Sequence, residues 1–135
     1  MTNKPIQEIK YHNKTLAWVF SKNLKADGVK FLTPLYYPLQ VGLLEHKKGK
    51  IVGPHIHRDL RYKVDTTQEF LYIERGIADV FIYNRQWKKI KEVRLTKGDF
   101  ILFVGGGHGL NIHKNTRIIE IKQGPYPGDK KAKIF

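Results

Sequence analysis

The sequence predicts an all-β fold, and three observations carry that expectation. Twelve glycines and six prolines punctuate the chain at short intervals. Between them lie short runs rich in Val, Ile, Leu, Phe and Tyr. No stretch of about twelve residues holds a 3.6-residue apolar period, as an amphipathic helix requires. Many short strands with turn signals between them describe a sandwich or a barrel. At 135 residues the chain is the size of one domain and long enough to bury one core.

Candidate strands fall at 15–21, 39–46, 51–57, 69–74, 77–83, 92–95, 99–104, 110–113 and 116–123. Asp27-Gly28, Lys48-Gly49-Lys50 and Lys97-Gly98-Asp99 supply turns, the second of them a hairpin between 39–46 and 51–57. Glu69 opens a strongly apolar strand, Glu-Phe-Leu-Tyr-Ile. The polar 84–91 stretch between strands reads as a hairpin loop with Trp87 packed back on a sheet. Gly105-Gly106-Gly107 permits a bulge after 99–104; no Gly-Lys-Ser/Thr follows, so it is not a phosphate loop. At 124–128, Pro125 and Pro127 remove ladder donors, so 116–123 ends in a turn that lays the lysine-rich tail over the outside. The division expected is one domain over 1–135: a barrel over about 39–123, an N-terminal strand extension over 1–38 and a tail over 124–135.

Composition narrows the chemistry. There are 25 Lys+Arg against 12 Asp+Glu, a formal charge of +13, and no cysteine. Disulfides, zinc ribbons, Cys-ligated clusters and thiol nucleophiles are therefore excluded. The cations are scattered in singles and doublets, without the block of like charge that marks a basic arm. They read as a solvated surface. The first fifteen residues are polar and no apolar run is long enough to span a bilayer, so a cytoplasmic protein without a signal peptide is expected.

His55 and His57 are two apart, so in a strand their imidazoles share a face and form a candidate pair of metal ligands. Glu69 opens an apolar strand and Gly76 follows it; the 105–107 glycines allow His108 to be aimed inward. Three imidazoles and one carboxylate with open positions suit Fe, Mn, Ni, Zn or Co. Gly49, His55, His57, Glu69 and Gly76 together resemble the first motif of the cupin family. Gly98, Gly106, His108 and Asn111 resemble the second. The resemblance spans about 39–123 and implies a double-stranded β-helix, the cupin jelly roll. It implies a divalent transition metal as cofactor, held by His55, His57, Glu69 and His108, and a homodimer. Eleven residues separate His57 from Glu69 where the family has three or four. The 58–68 stretch therefore reads as an extended loop, and Gln68 is the alternative to Glu69 after a register slip. Gly106-Gly107-His108-Gly109 and the 120–126 run also resemble small cupins encoded with bacterial surface-polysaccharide and sugar-nucleotide enzymes.

Further candidates surround this set. If the extended loop lies at the barrel mouth, Arg58, Arg61 and Lys63 can hold a phosphate or carboxylate; otherwise they are a solvated loop, and Tyr62 either stacks on a ligand or covers the core. Glu120 and Lys122 share one face of the last strand. If that face is interior, the Glu is a proton acceptor and the Lys an anion stabiliser; if exterior, they are a weak surface pair. Gln40 is a further inward-pointing candidate. His12, His46 and His113 lack partners at ligand spacing and read as structural or exposed.

The function expected is a metal-binding cupin acting on, or binding, a small polar and anionic sugar-type ligand. An isomerase or epimerase is one form of it. The alternatives are a non-catalytic sugar or sugar-nucleotide binding module and a metal-dependent dioxygenase. No specific nucleic acid and no membrane is expected as partner. A basic nucleic-acid binder ranks last, since the lysines form no stripe with aromatic platforms.

Overall fold

A computed structural model describes residues 4–135 of the chain. It is all-β, with ten strands and one short helix. The strands are β1 (Ile6–Tyr11), β2 (Lys14–Phe20), β3 (Gly28–Phe31), β4 (Gly42–Glu45), β5 (Glu69–Arg75), β6 (Ile77–Tyr83), β7 (Lys89–Thr96), β8 (Phe100–Phe103), β9 (Gly107–Ile112) and β10 (Arg117–Lys122), followed by α1 (Asp129–Ala132). All strand pairings are antiparallel. A five-stranded sheet runs β1-β2-β8-β5-β10 and a three-stranded sheet runs β7-β6-β9. The β3–β4 hairpin is a third, two-stranded sheet.

The core is built by strand alternation. Leu16 and Ala17 of β2, Leu71 and Ile73 of β5, and Ile101 and Phe103 of β8 are buried with Val80, Ile82 and Leu95 of the smaller sheet. This is the layer between the two larger sheets. The opposite face of the five-stranded sheet is covered by a second cluster, in which Phe20 and Leu102 meet Leu24, Leu32 and Val41. There Trp18 Nε1 donates to Tyr37 Oη at 3.2 Å, which satisfies the indole where its ring packs.

Two glycines fix connections that position the site. Gly76, at φ 101°, is the single residue between β5 and β6; a Cβ there would lie 2.2 Å from Thr116 Oγ1. Gly106, at φ 68°, lets the chain pass so close to Tyr83 that a Cβ would lie 2.2 Å from its carbonyl oxygen. That approach feeds β9 into the smaller sheet beside β6, with His108 opposite the buried Ile82.

Of the expected N-terminal extension, residues 1–3 lie outside the described residues; residues 4–38 do more than extend a barrel, since β2 lies inside the large sheet between β1 and β8. The strands expected over 15–21, 69–74, 77–83, 92–95, 99–104, 110–113 and 116–123 correspond to β2, β5, β6, β7, β8, β9 and β10. The polar loop after β6 is shorter than expected. Asn84 Oδ1 accepts from the amides of Gln86 and Lys88, closing a tight hairpin, and Trp87 packs against Gly107.

The main departure is the strand expected over 51–57. The Lys48–Lys50 turn forms, with Lys50 N donating to the Lys47 carbonyl at 3.1 Å, but residues 51–68 hold no strand. Every residue from 46 to 67 is exposed. Gly53-Pro54 interrupts the run, and Pro54 has no amide to give a ladder. Without that stave the sheets face one another but do not close into a barrel.

Candidate functional site

The site lies where β5, β8, β9 and β10 come together. Register settles which face carries Glu120 and Lys122. Glu120 pairs with Leu71 and Lys122 with Glu69, so both share the face of Leu71 and Ile73, which is the core side. Ile119 and Ile121 take the other face and are half exposed. One row across the sheet therefore reads Phe103, Glu69, Lys122 from β8 to β10.

His108 reaches this row from the facing sheet. Its ring stacks on Phe103 with centroids 3.7 Å apart and planes 6° from parallel. Its Nε2 lies 3.2 Å from Glu69 Oε2. Lys122 Nζ lies 3.3 Å from Glu120 Oε1 and 4.2 Å from the centroid of the Tyr126 ring. The Glu69 and Glu120 carboxyls are themselves hydrogen-bonding neighbours. Lys122 and His108 are about a quarter exposed and Glu120 somewhat less than half, which puts the cluster at the rim, within reach of a solute.

The electrostatics divide the two carboxyls. The hydrogen bond from His108 holds Glu69 down, against the cost of burial, to about 2; Glu120, His108 and Lys122 push the same way. Glu120 goes the other way, raised by its hydrogen bond to Glu69, then by burial and by the Glu69 charge, with Lys122 opposing. Two adjacent carboxyls with opposite shifts provide one that stays ionised and one that holds a proton. Beside a lysine ammonium, this arrangement can bind an anion and exchange a proton with it.

The sequence-predicted residues divide into those brought together and those left apart. Glu69, His108, Glu120 and Lys122 converge. Gln68 does not share the cluster: it is buried, and its amide donates to Gln123 Oε1. His55 and His57 lie in the exposed 46–67 segment, their rings 5.1 Å apart and edge-on, with His55 Nδ1 2.9 Å from the Gly53 carbonyl oxygen. Their expected common strand face does not exist, because there is no strand. Among the described residues no group of three or more His, Asp or Glu is placed to hold a metal ion. The four-residue ligand set is thus split in two as the chain is arranged, and it does not fit a single metal centre. Arg58, Arg61, Tyr62 and Lys63 are exposed in the same segment; Lys63 meets Asp65 at 3.8 Å, and none of the four bonds to the cluster. Gln40 lies across the sheet, its Nε2 donating to the carbonyls of Pro34 and Tyr37. His113 is structural, bonded to Asp79.

Phe103 and Tyr126 are site residues that the sequence did not single out. Phe103 is buried in the core, with one ring face carrying His108. No local pattern marks Tyr126 as a partner of Lys122. The fold and the site define a class: an antiparallel β-protein with a carboxyl–imidazole–ammonium cluster at the rim of its facing sheets. Comparison with family models, with curated proteins and with solved structures finds no match to this chain.

Proposed function

We propose that the chain is a cupin-like protein that binds a small anionic, sugar-type ligand at the Glu69–His108–Glu120–Lys122 cluster and moves a proton on it. The observation that supports this reading is the convergence of four ionisable groups from two sheets on a face that is otherwise apolar. Lys122 attracts and orients the anion. Glu120 gives and takes the proton, and Glu69, kept ionised by His108, sets the level at which Glu120 holds it. Isomerisation or epimerisation next to a carbonyl is the reaction class that needs only these parts. The sugar-type ligand and a cytoplasmic role in polysaccharide or sugar-nucleotide metabolism rest on the resemblance of the 106–126 residues. A homodimer belongs to the same reading and is supported by the half-exposed Val29, Phe31, Leu44, Ile119 and Ile121.

A metal ion enters this proposal only if the 46–67 segment carries His55 and His57 to Glu69 and His108, and no step above depends on it. Elemental analysis of protein purified without added metal, in the wild type and in His55→Ala, tests that part directly.

The proposal itself is tested by isothermal titration with a panel of hexose phosphates and sugar nucleotides. The wild type is expected to bind at least one of them. Lys122→Ala should weaken that binding about tenfold or more, as loss of a charged hydrogen bond does, while the thermal midpoint stays in place. No binding across the panel, or equal binding by Lys122→Ala, contradicts the reading.

A further inference from the structure

The outer face of the small sheet carries a notch that the proposed function does not use. On β6, Val80 and Ile82 are buried in the core, so Asp79, Phe81 and Tyr83 take the outer face. Register sets Gly107 beside Tyr83, Gly109 beside Phe81 and Asn111 beside Asp79 on that face. The Trp87 ring fills the space over Gly107, where a Cβ would lie 2.8 Å from its Cζ3. Over Gly109 a Cβ would meet no atom within 4 Å.

The fold gives no reason for a glycine at 109. Unlike Gly76 and Gly106, it does not adopt a positive φ, and no neighbour forbids a side chain. A glycine inside a strand weakens it, and one without a steric need marks a place where another group approaches the backbone.

The surroundings of the notch say which group. Trp87 is 50 % exposed and sits at φ 62°, a conformation in which a bulky residue is an outlier. It meets the Tyr83 ring edge-on, with centroids 5.8 Å apart. Asn111, on the far side of Gly109, is exposed, and its side-chain amide has no hydrogen bond among the described residues. β9 is an edge strand, so the notch opens to solvent along its length. The carboxylates of this face are already paired, Glu92 with Lys89 and Asp79 with Arg94 and His113. Arg85, in the hairpin that carries Trp87, is exposed and makes no ion pair among the described residues. A neutral sugar would leave this cation unused, and a bare phosphate would leave the aromatic wall unused. A nucleoside phosphate uses both, and a free asparagine amide matches the donor–acceptor edge of adenine.

We infer that the notch over Gly109 is a binding site for an adenine nucleoside phosphate, separate from the Glu69–His108 cluster on the inner side of the sheets. The base lies over the Gly109 backbone, between the Trp87 ring and the Asn111 amide, and Arg85 takes the phosphate.

The test is a nitrogen–proton NMR titration of the full chain with adenosine monophosphate. The probe should shift the Trp87 indole N–H, the Gly109 amide and the Asn111 side-chain amide signals together. Inosine monophosphate, which carries an oxygen in place of the adenine amino group, should bind about tenfold more weakly. Ribose 5-phosphate, which has no base, should leave the three signals in place. Gly109→Val puts a side chain into the open notch, and valine favours a strand, so the fold should hold while binding falls about tenfold or more. Trp87→Gly suits the left-handed backbone and should weaken binding by a similar factor; should one variant fail to fold, the other carries the test. Lys122→Ala lies on the inner side and should leave the shifts unchanged, so this inference and the proposed function fail separately. The inference is overturned if adenosine monophosphate moves none of the three signals, or if inosine monophosphate or ribose 5-phosphate binds as well. It is equally overturned if a folded Gly109→Val binds adenosine monophosphate as the wild type does.

Discussion

Among the described residues there are two imidazole–carboxylate pairs, and their neighbours give them different roles. On the outer face of the small sheet, Asp79 of β6 accepts two bonds from Arg94 of β7, at 2.8 and 3.0 Å, and a third from His113 just beyond β9. A paired guanidinium and an imidazole use up the carboxylate, and the result is a pin across three strands. Arg94 holds the Asp79 carboxyl down to about 2, against burial and with help from His113. At the rim, Glu69 has His108 but no arginine. Its other neighbour is a second carboxyl, Glu120, backed by Lys122. The first carboxylate is saturated by a guanidinium and an imidazole. The second shares its surroundings with a group that can hold a proton, and that difference, rather than the imidazole, separates a clamp from a reactive site.

Both regions hang on one core, so the largest effect should remove both. Ile73 is fully buried, and Ile73→Ala should cost about 2–5 kcal/mol in chemical denaturation, lowering the stability that pin and rim share. Next comes the pin alone. Asp79→Ala leaves Arg94 and His113 facing each other without their anion, and the thermal midpoint should fall on the order of 5 °C. Ligand binding at the rim should be retained. Glu69→Gln should also lower the midpoint, because the carboxylate it removes is held below its ordinary range, but unlike Asp79→Ala it should impair binding.

Acid should act on Glu120 with the opposite sign to Asp79 and Glu69. Asp79 and Glu69 are both depressed to about 2, so the stability they contribute is complete above the ordinary carboxylate range and is lost as pH falls through about 2. Glu120 is raised, so its contribution is complete below its ordinary value and is lost as pH rises through the raised one. A scan of thermal midpoint against pH should therefore show the loss on the rising side disappear in Glu120→Gln. The smallest effect is expected in the exposed segment. Lys63 and Asp65 are both largely exposed, and Lys63→Ala should change stability by less than about 0.5 kcal/mol.

The strands that pair were legible from apolar runs: Phe70 through Ile73 and Val80 through Ile82 could hardly be anything else. β1 lies in the expected N-terminal strand extension, but its place was not legible because Glu8 and Lys10 interleave its apolar residues and pairing with β2 defines it. The 51–57 stretch shows the converse. Its spacing puts His55 and His57 on one face only if a neighbouring strand exists to make it a strand, and no spacing within seven residues reports on that neighbour. For Glu120 and Lys122, alternation says they share a face but not which; the pairing of Glu120 with buried Leu71 decides it. His108 was legible as inward-facing from the glycines before it, whereas its stacking on Phe103 joins two sheets and has no local trace.

The central claim is that Glu120 is kept protonated above the ordinary range by Glu69. Carbon-detected NMR titration of the Glu120 carboxyl, in the wild type and in Glu69→Gln, tests it most directly. The account predicts a wild-type midpoint above 4.5 that falls back toward 4.5 when Glu69 is replaced. A wild-type midpoint at or below 4.5, or one that Glu69→Gln leaves in place, would contradict it.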